Sequence, residues 1–356
     1  MLTIAVSCII FSPAFIFRVL THHDSSIKDY SFFPSRTIHK SEIPYAYEYD
    51  LNPQLADYNL TYKTRNNSQT TMQLADFVES TGSTSFIIVK DDRIVYEQYA
   101  NGYNRDSINT SFSMAKSLGS LLIGKAIEDG YIISENHSIA EYIHEFKGVD
   151  MEQITIKDLL TMRSDISYKE PGFLWFGDDS YTYWTPDLRE LALKHRTLTD
   201  KYRGKMHYNN YHPLLLGIIL ERSVGISVSE YFEKSIWKKI GSEYDASWSL
   251  DNEETRFEKM ESGFNFRSID FIKIGSMLLH NGYWNGQQII DPDWLQTSTV
   301  VTFPLDENEY AGTFIEGRNT GYGYMWYSRP SKAGGMDFGL GANMIRFSIF
   351  LPPIAL

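Results

Sequence analysis

Apolar residues run through this chain in two rhythms. Short β-rich runs open and close its body, and longer apolar stretches of helical length lie between them. Ser85-Phe86-Ile87-Ile88-Val89 and Arg93-Ile94-Val95-Tyr96-Glu97-Gln98-Tyr99 flank Lys90-Asp91-Asp92, a pattern that predicts an antiparallel hairpin turning on the aspartates. The run after Ser113 (Leu118, Gly119, Leu121, Leu122, Ile123, Ala126) is small and apolar almost all round, which predicts a buried helix. Residues 132–146 follow, and Ile154-Thr155-Ile156-Lys157-Asp158-Leu159-Leu160-Thr161-Met162 reads as a short strand or turn entering a helix. Residues 165–235 read as mostly helical with aromatic loops, 268–281 as a further helix, and Gly282-Tyr283-Trp284-Asn285-Gly286 as a turn. Strand-like runs return at 321–327 and 344–351. Strands at both ends with helices between predict a mixed α/β (α+β) fold, an antiparallel sheet flanked by helices with a helical subdomain.

The stretch 1–20, MLTIAVSCIIFSPAFIFRVL, carries no charged side chain before Arg18. Its length is near the lower limit for a membrane span and also suits the core of a signal peptide. A hydrophobic anchor or signal over 1–20 is therefore expected, with membrane association through it and a membrane-anchored or exported location of bacterial type. A buried helix is the alternative. Residues 21–75 set Tyr30, Phe32, Phe33, Pro34, Tyr45, Tyr47 and Tyr49 among polar neighbours and read as a stalk packing partly on a body that spans 76–356. No internal repeat is evident.

The 356 residues, 42% hydrophobic and 15% aromatic, describe a globular protein with a sizeable core. A net charge of -12 without a basic block argues against nucleic acid as a partner. The single cysteine, Cys8, excludes an internal disulfide and a cysteine-based metal site, and the adjacent His22 and His23 read as solvated.

Chemistry enters with Ser113-Met114-Ala115-Lys116. Residues three apart share a helix face, so the Ser113 hydroxyl and the Lys116 amine can meet. A serine hydroxyl is a poor nucleophile until a base stands beside it, and a neutral amine serves. Asn109 and Thr110 can supply the polar entry to such a helix. The plain alternative is a serine near a helix start and a lysine on a wet face. Burial of the helix argues against it, because a lysine there needs partners. Tyr208-Asn209-Asn210 gives Y-x-N before a second apolar helix. In an extended or looping segment Tyr208 and Asn210 can point the same way. A phenol can relay a proton, and an amide can hold a lysine and a substrate carbonyl. Alone, Y-x-N fits an aromatic loop equally well; its pairing with S-x-x-K raises it.

Together these motifs resemble the serine β-lactamase and penicillin-binding superfamily, above all its class C-like branch with esterases, D-aminopeptidases and 6-aminohexanoate-dimer hydrolases. The likeness extends to the Ile154 to Met162 segment, to Ser262-Gly263 followed by Arg267-Ser268-Ile269-Asp270, to Tyr322-Gly323-Tyr324-Met325-Trp326, and to Asp245-Ala246-Ser247-Trp248 and Phe32-Phe33-Pro34. It covers about residues 28–343. The resemblance implies acyl transfer: Ser113 attacks the carbonyl of a small-molecule amide, ester or β-lactam, and Lys116 and Tyr208 move the protons. It places Asn210 at the substrate, makes an oxyanion hole from backbone N–H groups including that of Ser113, and lets water release the acyl-enzyme. It implies no metal and no organic cofactor. Because the second motif is Y-x-N and not S-D-N, deacylation is not assigned to a glutamate.

Two departures stand out. Where relatives have K-T-G or its variants, this chain reads Asp337-Phe338-Gly339-Leu340-Gly341-Ala342-Asn343, which places Gly341 and Asn343 loosely at the substrate. Relatives continue past the position of Leu356 with a strand and a helix, so a missing C-terminal strand and helix are expected, or else last residues that are a shifted reading of a longer chain. A lesser oddity is Asp165, where relatives often have glycine after the serine. These departures keep a second function open, a penicillin- or peptidoglycan-binding or sensor module without turnover, or an inactive truncated homologue. Specificity is expected in loops such as 168–184, rich in aromatics and containing Asp178-Asp179, which suggest an apolar pocket, with stalk or domain packing as the alternative.

Overall fold

The computed structural model describes residues 12–22, 25–63, 68–169, 177–202, 204–300, 303–304, 321–330, 336–342 and 345–350. Its core gathers around the helix Met114–Glu128, in which Leu118, Leu121, Leu122, Ile123 and Ala126 are fully buried. A helix apolar on all sides needs a neighbour on each. Helix Tyr211–Val224 lies along one side, buried from Tyr211 to Leu220. Helix Pro292–Thr299 lies along another and sets Trp294 against Gly124. A Cβ on Gly124 would stand 2.2 Å from the indole, whose Nε1 donates to Ser120 O at 3.1 Å. Met260 fills the gap left by Gly119 and Gly217.

A four-stranded antiparallel sheet feeds the start of the central helix. Its order is Ser35–Ile38, Ala246–Ser249, Phe264–Arg267, Ile108–Thr110. Thr110 pairs with Asn265, and the next N–H, of Ser111, donates to Phe264 O at 2.7 Å. The chain therefore enters the helix from a fixed point. The hairpin Ser85–Lys90 with Arg93–Tyr99 turns on Asp91 and Asp92, both at positive φ (50 and 57°), as a tight hairpin turn requires. A five-stranded antiparallel sheet closes the described chain in the order Phe303–Pro304, Gly321–Tyr322, Tyr327–Pro330, Met336–Ala342, Ile345–Phe350, with Met336–Ala342 beside the central helix.

Between the sheets lies the helical insertion. Ile156–Leu160 opens on a reciprocal cap between Thr155 and Asp158, the polar pair that turns an extended entry into helix. Asp178–Trp184, Leu188–Lys194, Tyr211–Val224 and Val228–Phe232 follow. The α+β architecture read from the sequence is the one observed: antiparallel sheets, flanking helices and a helical insertion. The run 321–327 differs from the single strand expected. It is interrupted after Tyr322 by a turn in which Met325 takes φ +63° and the N–H groups of Tyr324 and Met325 donate to Ser298 O and Leu160 O.

The anchor expected over residues 1–20 is not supported. Among the described residues no helix is long and apolar enough to cross a membrane. Helix Pro13–His22 instead turns Phe15 and Val19 into the body, and Arg18 donates to Trp184 O (3.2 Å) and Asp251 O (2.6 Å). A charged group on the docked face, satisfied by the protein's own carbonyls, ties that helix to the body. Residues 1–11 lie outside the described residues. Further on, Phe33 packs on Tyr183 and Trp184, and Ser35–Ile38 is an edge strand of the four-stranded sheet.

Candidate active site

Ser113 stands at the N-terminus of helix Met114–Glu128 with its hydroxyl not spent on capping it. The residue before it, Phe112, is buried at φ +46°, a left-handed conformation that a bulky side chain rarely takes. The surroundings enforce it: Ser111 N–H donates to Phe264 O, and its hydroxyl reaches Phe112 O (3.0 Å) and Ser262 O (3.2 Å). This turn lifts Ser113, half-buried, out of the end of an otherwise buried helix.

Lys116 lies one turn on and is 2% exposed. Its Nζ donates to Ser113 Oγ at 3.0 Å and to Glu261 O at 2.8 Å. The Tyr208 ring faces it, with Nζ 4.9 Å from the ring centroid. A hydroxyl, a carbonyl and an aromatic face together make the buried amine tolerable. The structure thus brings Ser113, Lys116 and Tyr208 together. Four residues from Ser113 and on the same face, the Ser117 hydroxyl donates to Met325 O at 2.6 Å, which fastens the Tyr322 to Trp326 turn to the site.

Asn210 behaves differently from the expectation that its amide reaches a substrate carbonyl. Its Nδ2 donates to Tyr168 Oη (3.0 Å) and Thr182 Oγ1 (3.2 Å). Tyr168 gives its own proton to Asp179 Oδ1, and Thr182 gives its proton to Asp178 O at 2.7 Å. Both hydroxyl oxygens can therefore only accept, which fixes which end of the amide is nitrogen. Among the described residues the amide oxygen, Oδ1, is buried without a hydrogen-bond partner. Asp178 also accepts from Tyr211 Oη (2.9 Å) and Lys169 N (2.6 Å). Where described, the 168–184 stretch is a polar fastening of the insertion, and its aromatics Tyr183 and Trp184 pack against Phe33 of the preceding segment, the packing alternative to a pocket. Burial, then the adjacent aspartates, push the Tyr168 and Tyr211 phenols well above their ordinary range. Residues 170–176 lie outside the described residues.

Gly341 sits in the strand Met336–Ala342, paired with Arg346. Asn343 lies outside the described residues. Asp165 takes φ +60°, which is why glycine suits that position.

Sequence reasoning passed over Glu261 and Lys259. Glu261 presents its main-chain carbonyl to Lys116, while its carboxylate meets Lys259 Nζ at 2.9 Å. Lys259 also donates to Tyr183 O (2.6 Å) and lies over the rings of Phe33 (4.6 Å) and Tyr183 (4.4 Å). Burial lowers its pKa, with Glu261 opposing. The available signal is the Glu258-Lys259-Met260-Glu261 run, with ionisable residues packed between Phe257 and Phe264. Among the described residues no group of three or more His, Cys, Asp or Glu side chains could hold a metal ion.

Comparison with known proteins adds to this geometry. The family model described as beta-lactamase matches residues 74–265, more than half of the chain. The chain is 22% identical over 277 residues to the 6-aminohexanoate-dimer hydrolase of Paenarthrobacter ureafaciens, covering 75% of this chain and 69% of that protein. A solved Bacillus anthracis protein, provisionally named a 6-aminohexanoate-dimer hydrolase, superposes with a TM-score of 0.75 at 21% identity, over 95% of this chain and 85% of that one. A penicillin-binding protein from Bacillus halodurans superposes with a TM-score of 0.56 at 14% identity, over 75% of this chain and 87% of that one. At such identities the two superpositions speak to fold alone.

Proposed function

We infer that this chain, which belongs to the beta-lactamase family, is a serine hydrolase that moves the acyl group of an amide or ester onto Ser113 and then to water. The observation that carries the reading is the 3.0 Å contact between Lys116 Nζ and Ser113 Oγ, with the amine held from behind by Glu261 O. With Lys116 neutral, the contact runs the other way and the hydroxyl donates to the amine. As Oγ bonds to the carbonyl carbon, Lys116 takes the proton and the carbonyl electrons move onto oxygen, where the Ser113 N–H at the helix start can meet them. Collapse of that intermediate breaks the bond to the leaving amine or alcohol. The leaving group takes back the proton from Lys116 through the Tyr208 hydroxyl. Water adds to the acyl-enzyme by the same route and frees Ser113.

A curated relative, 22% identical to this chain, carries the name 6-aminohexanoate-dimer hydrolase, which supports a linear amide as the substrate class. A fluorophosphonate probe should label the protein at Ser113, and Ser113→Ala should abolish labelling. Equal labelling of that variant overturns the reading. A panel of nitrocefin, p-nitrophenyl esters and aminohexanoate oligomers sorts β-lactam, ester and linear amide, with most turnovers expected on the oligomers. Stoichiometric acylation without turnover would identify a binding module instead.

A further inference from the structure

We propose that the buried ion pair Lys259–Glu261 is a positioning device for Lys116, holding in place the peptide carbonyl that orients the amine. The proposal rests on the reading of Lys116 as the base for Ser113.

Three observations lead to it. Lys116 has little freedom to choose its geometry: beyond Ser113 Oγ, the bond that directs its Nζ goes to Glu261 O. The side chain of that same residue is gripped, with Glu261 Oε1 taking Lys259 Nζ at 2.9 Å and the Ser262 hydroxyl at 2.8 Å. Both charged side chains are nearly inaccessible, at 1% and 2% exposure. A buried pair of this kind is weak evidence of stabilisation, since apolar residues of the same volume often serve as well. What apolar residues would lack is a directional hold on the main chain between two sequence neighbours.

The hold continues outward. Lys259 O accepts from Gly263 N (2.7 Å), Ser262 N (3.2 Å) and Trp248 Nε1 (3.0 Å), so the turn carrying Glu261 O closes on itself. Lys259 Nζ ends on Tyr183 O, and the Tyr183 hydroxyl donates to Asp29 at 2.5 Å. Phe33 covers the ammonium on one face. The segment before the sheet thus bears on the site through Lys259. The charges that act on Lys259 are Glu261, Arg18 and Asp251, and Glu261 also acts on the neutral Tyr183 phenol. Lys116 is faced by Ser113, Glu261 O and the Tyr208 ring.

The test compares the full chain with Glu261→Gln, Lys259→Met and the double variant, using single-turnover acylation by a p-nitrophenyl ester from pH 5 to 10. A displaced carbonyl loosens Lys116, so all three variants should acylate at least about tenfold more slowly at neutral pH, with KM within about twofold of the parent. The single variants should also move the acid limb in opposite directions by about half a pH unit. Glu261→Gln leaves an extra positive charge and lowers it; Lys259→Met leaves an extra negative charge and raises it. The double variant removes both charges and should slow the reaction without moving the limb. If the single variants do not fold, the double variant decides. A folded double variant that acylates within about twofold of the parent overturns the proposal. A parent protein that is never acylated at Ser113 overturns the hydrolase reading instead.

Discussion

Asp165 holds a left-handed backbone while its Oδ1 is buried without a partner among the described residues. Glycine would remove the steric cost and the orphaned acceptor, at the expense of a freer unfolded chain. Asp165→Gly should raise stability by about 0.5–1 kcal/mol, read as the urea midpoint at constant slope. His212 makes a pH prediction. It is buried, bonded to Ser164 Oγ at 2.6 Å, and its pKa is pushed down to about 3 by burial and then by His207. The folded protein keeps this ring neutral while the unfolded chain protonates it near pH 6.5. Its contribution is complete above that pH and is lost on acidification towards pH 3, at about 1.4 kcal/mol per pH unit. The buried carboxyls of Glu258 and Asp270, raised by burial, act with the opposite sign, and their share is lost as pH rises through their folded values. Unfolding of His212→Gln should therefore depend less steeply on pH between 6 and 4, by about one proton. An unchanged slope would mean that the ring protonates in the folded state. At this scale the Ser113–Lys116 contact is legible in the sequence, because it needs only one helical turn. Glu261 O is not, because it lies 145 residues from Lys116 and a carbonyl has no side chain to announce it.

Among the elements, the central helix depends on how closely its neighbours approach. Gly124→Ala gains about 1 kcal/mol of helix propensity, yet its methyl would meet the Trp294 indole at 2.2 to 2.4 Å. That ring is anchored by its bond to Ser120 O, so overpacking should win and the variant should lose about 1–3 kcal/mol. At Gly217 the nearest atom is Cγ of Met260, an unbranched side chain that can shift. Gly217→Ala should therefore melt closer to the parent than Gly124→Ala; the reverse order would show that Met260 is the stiffer neighbour. The hairpin and the buried helix can be read from residue pattern because both patterns are local. The 321–327 run cannot, since its break is imposed by carbonyls of Leu160 and Ser298, which no local periodicity reports.

On the scale of the whole molecule, the N-terminal region shows where hydrophobicity alone misleads. Phe15 and Val19 are apolar enough for lipid, but they face Tyr181 and the body around it, and Arg18 is held by two main-chain carbonyls. Arg18→Ala should destabilise the fold by about 1–3 kcal/mol, because Trp184 O and Asp251 O lose a charged donor. A thermal melt superimposable on the parent would mean that this helix is not docked in solution. The α+β class follows from residue types in order along the chain, while the approach of Tyr208 to Ser113 and Lys116 is what the family resemblance implies. The orientation of Asn210 does not, since it depends on where Tyr168 and Thr182 send their own protons.

The turn from Tyr322 to Trp326 has one more consequence. Its N–H groups at Tyr324 and Met325 bond to carbonyls of two distant helical segments, and Met325 O takes the Ser117 hydroxyl from a third. Glycine at 323 is required there, as any Cβ would fall 2.2 Å from Ser298 O. By shape this is a loop, and loops usually exchange their amide hydrogens through small local openings. Here freeing either amide means breaking the turn's bonds to the helical segments packed around Ser113. In deuterated solvent these two amides should exchange as slowly as those of the central helix, and Ser117→Ala should speed them before it affects the helix itself.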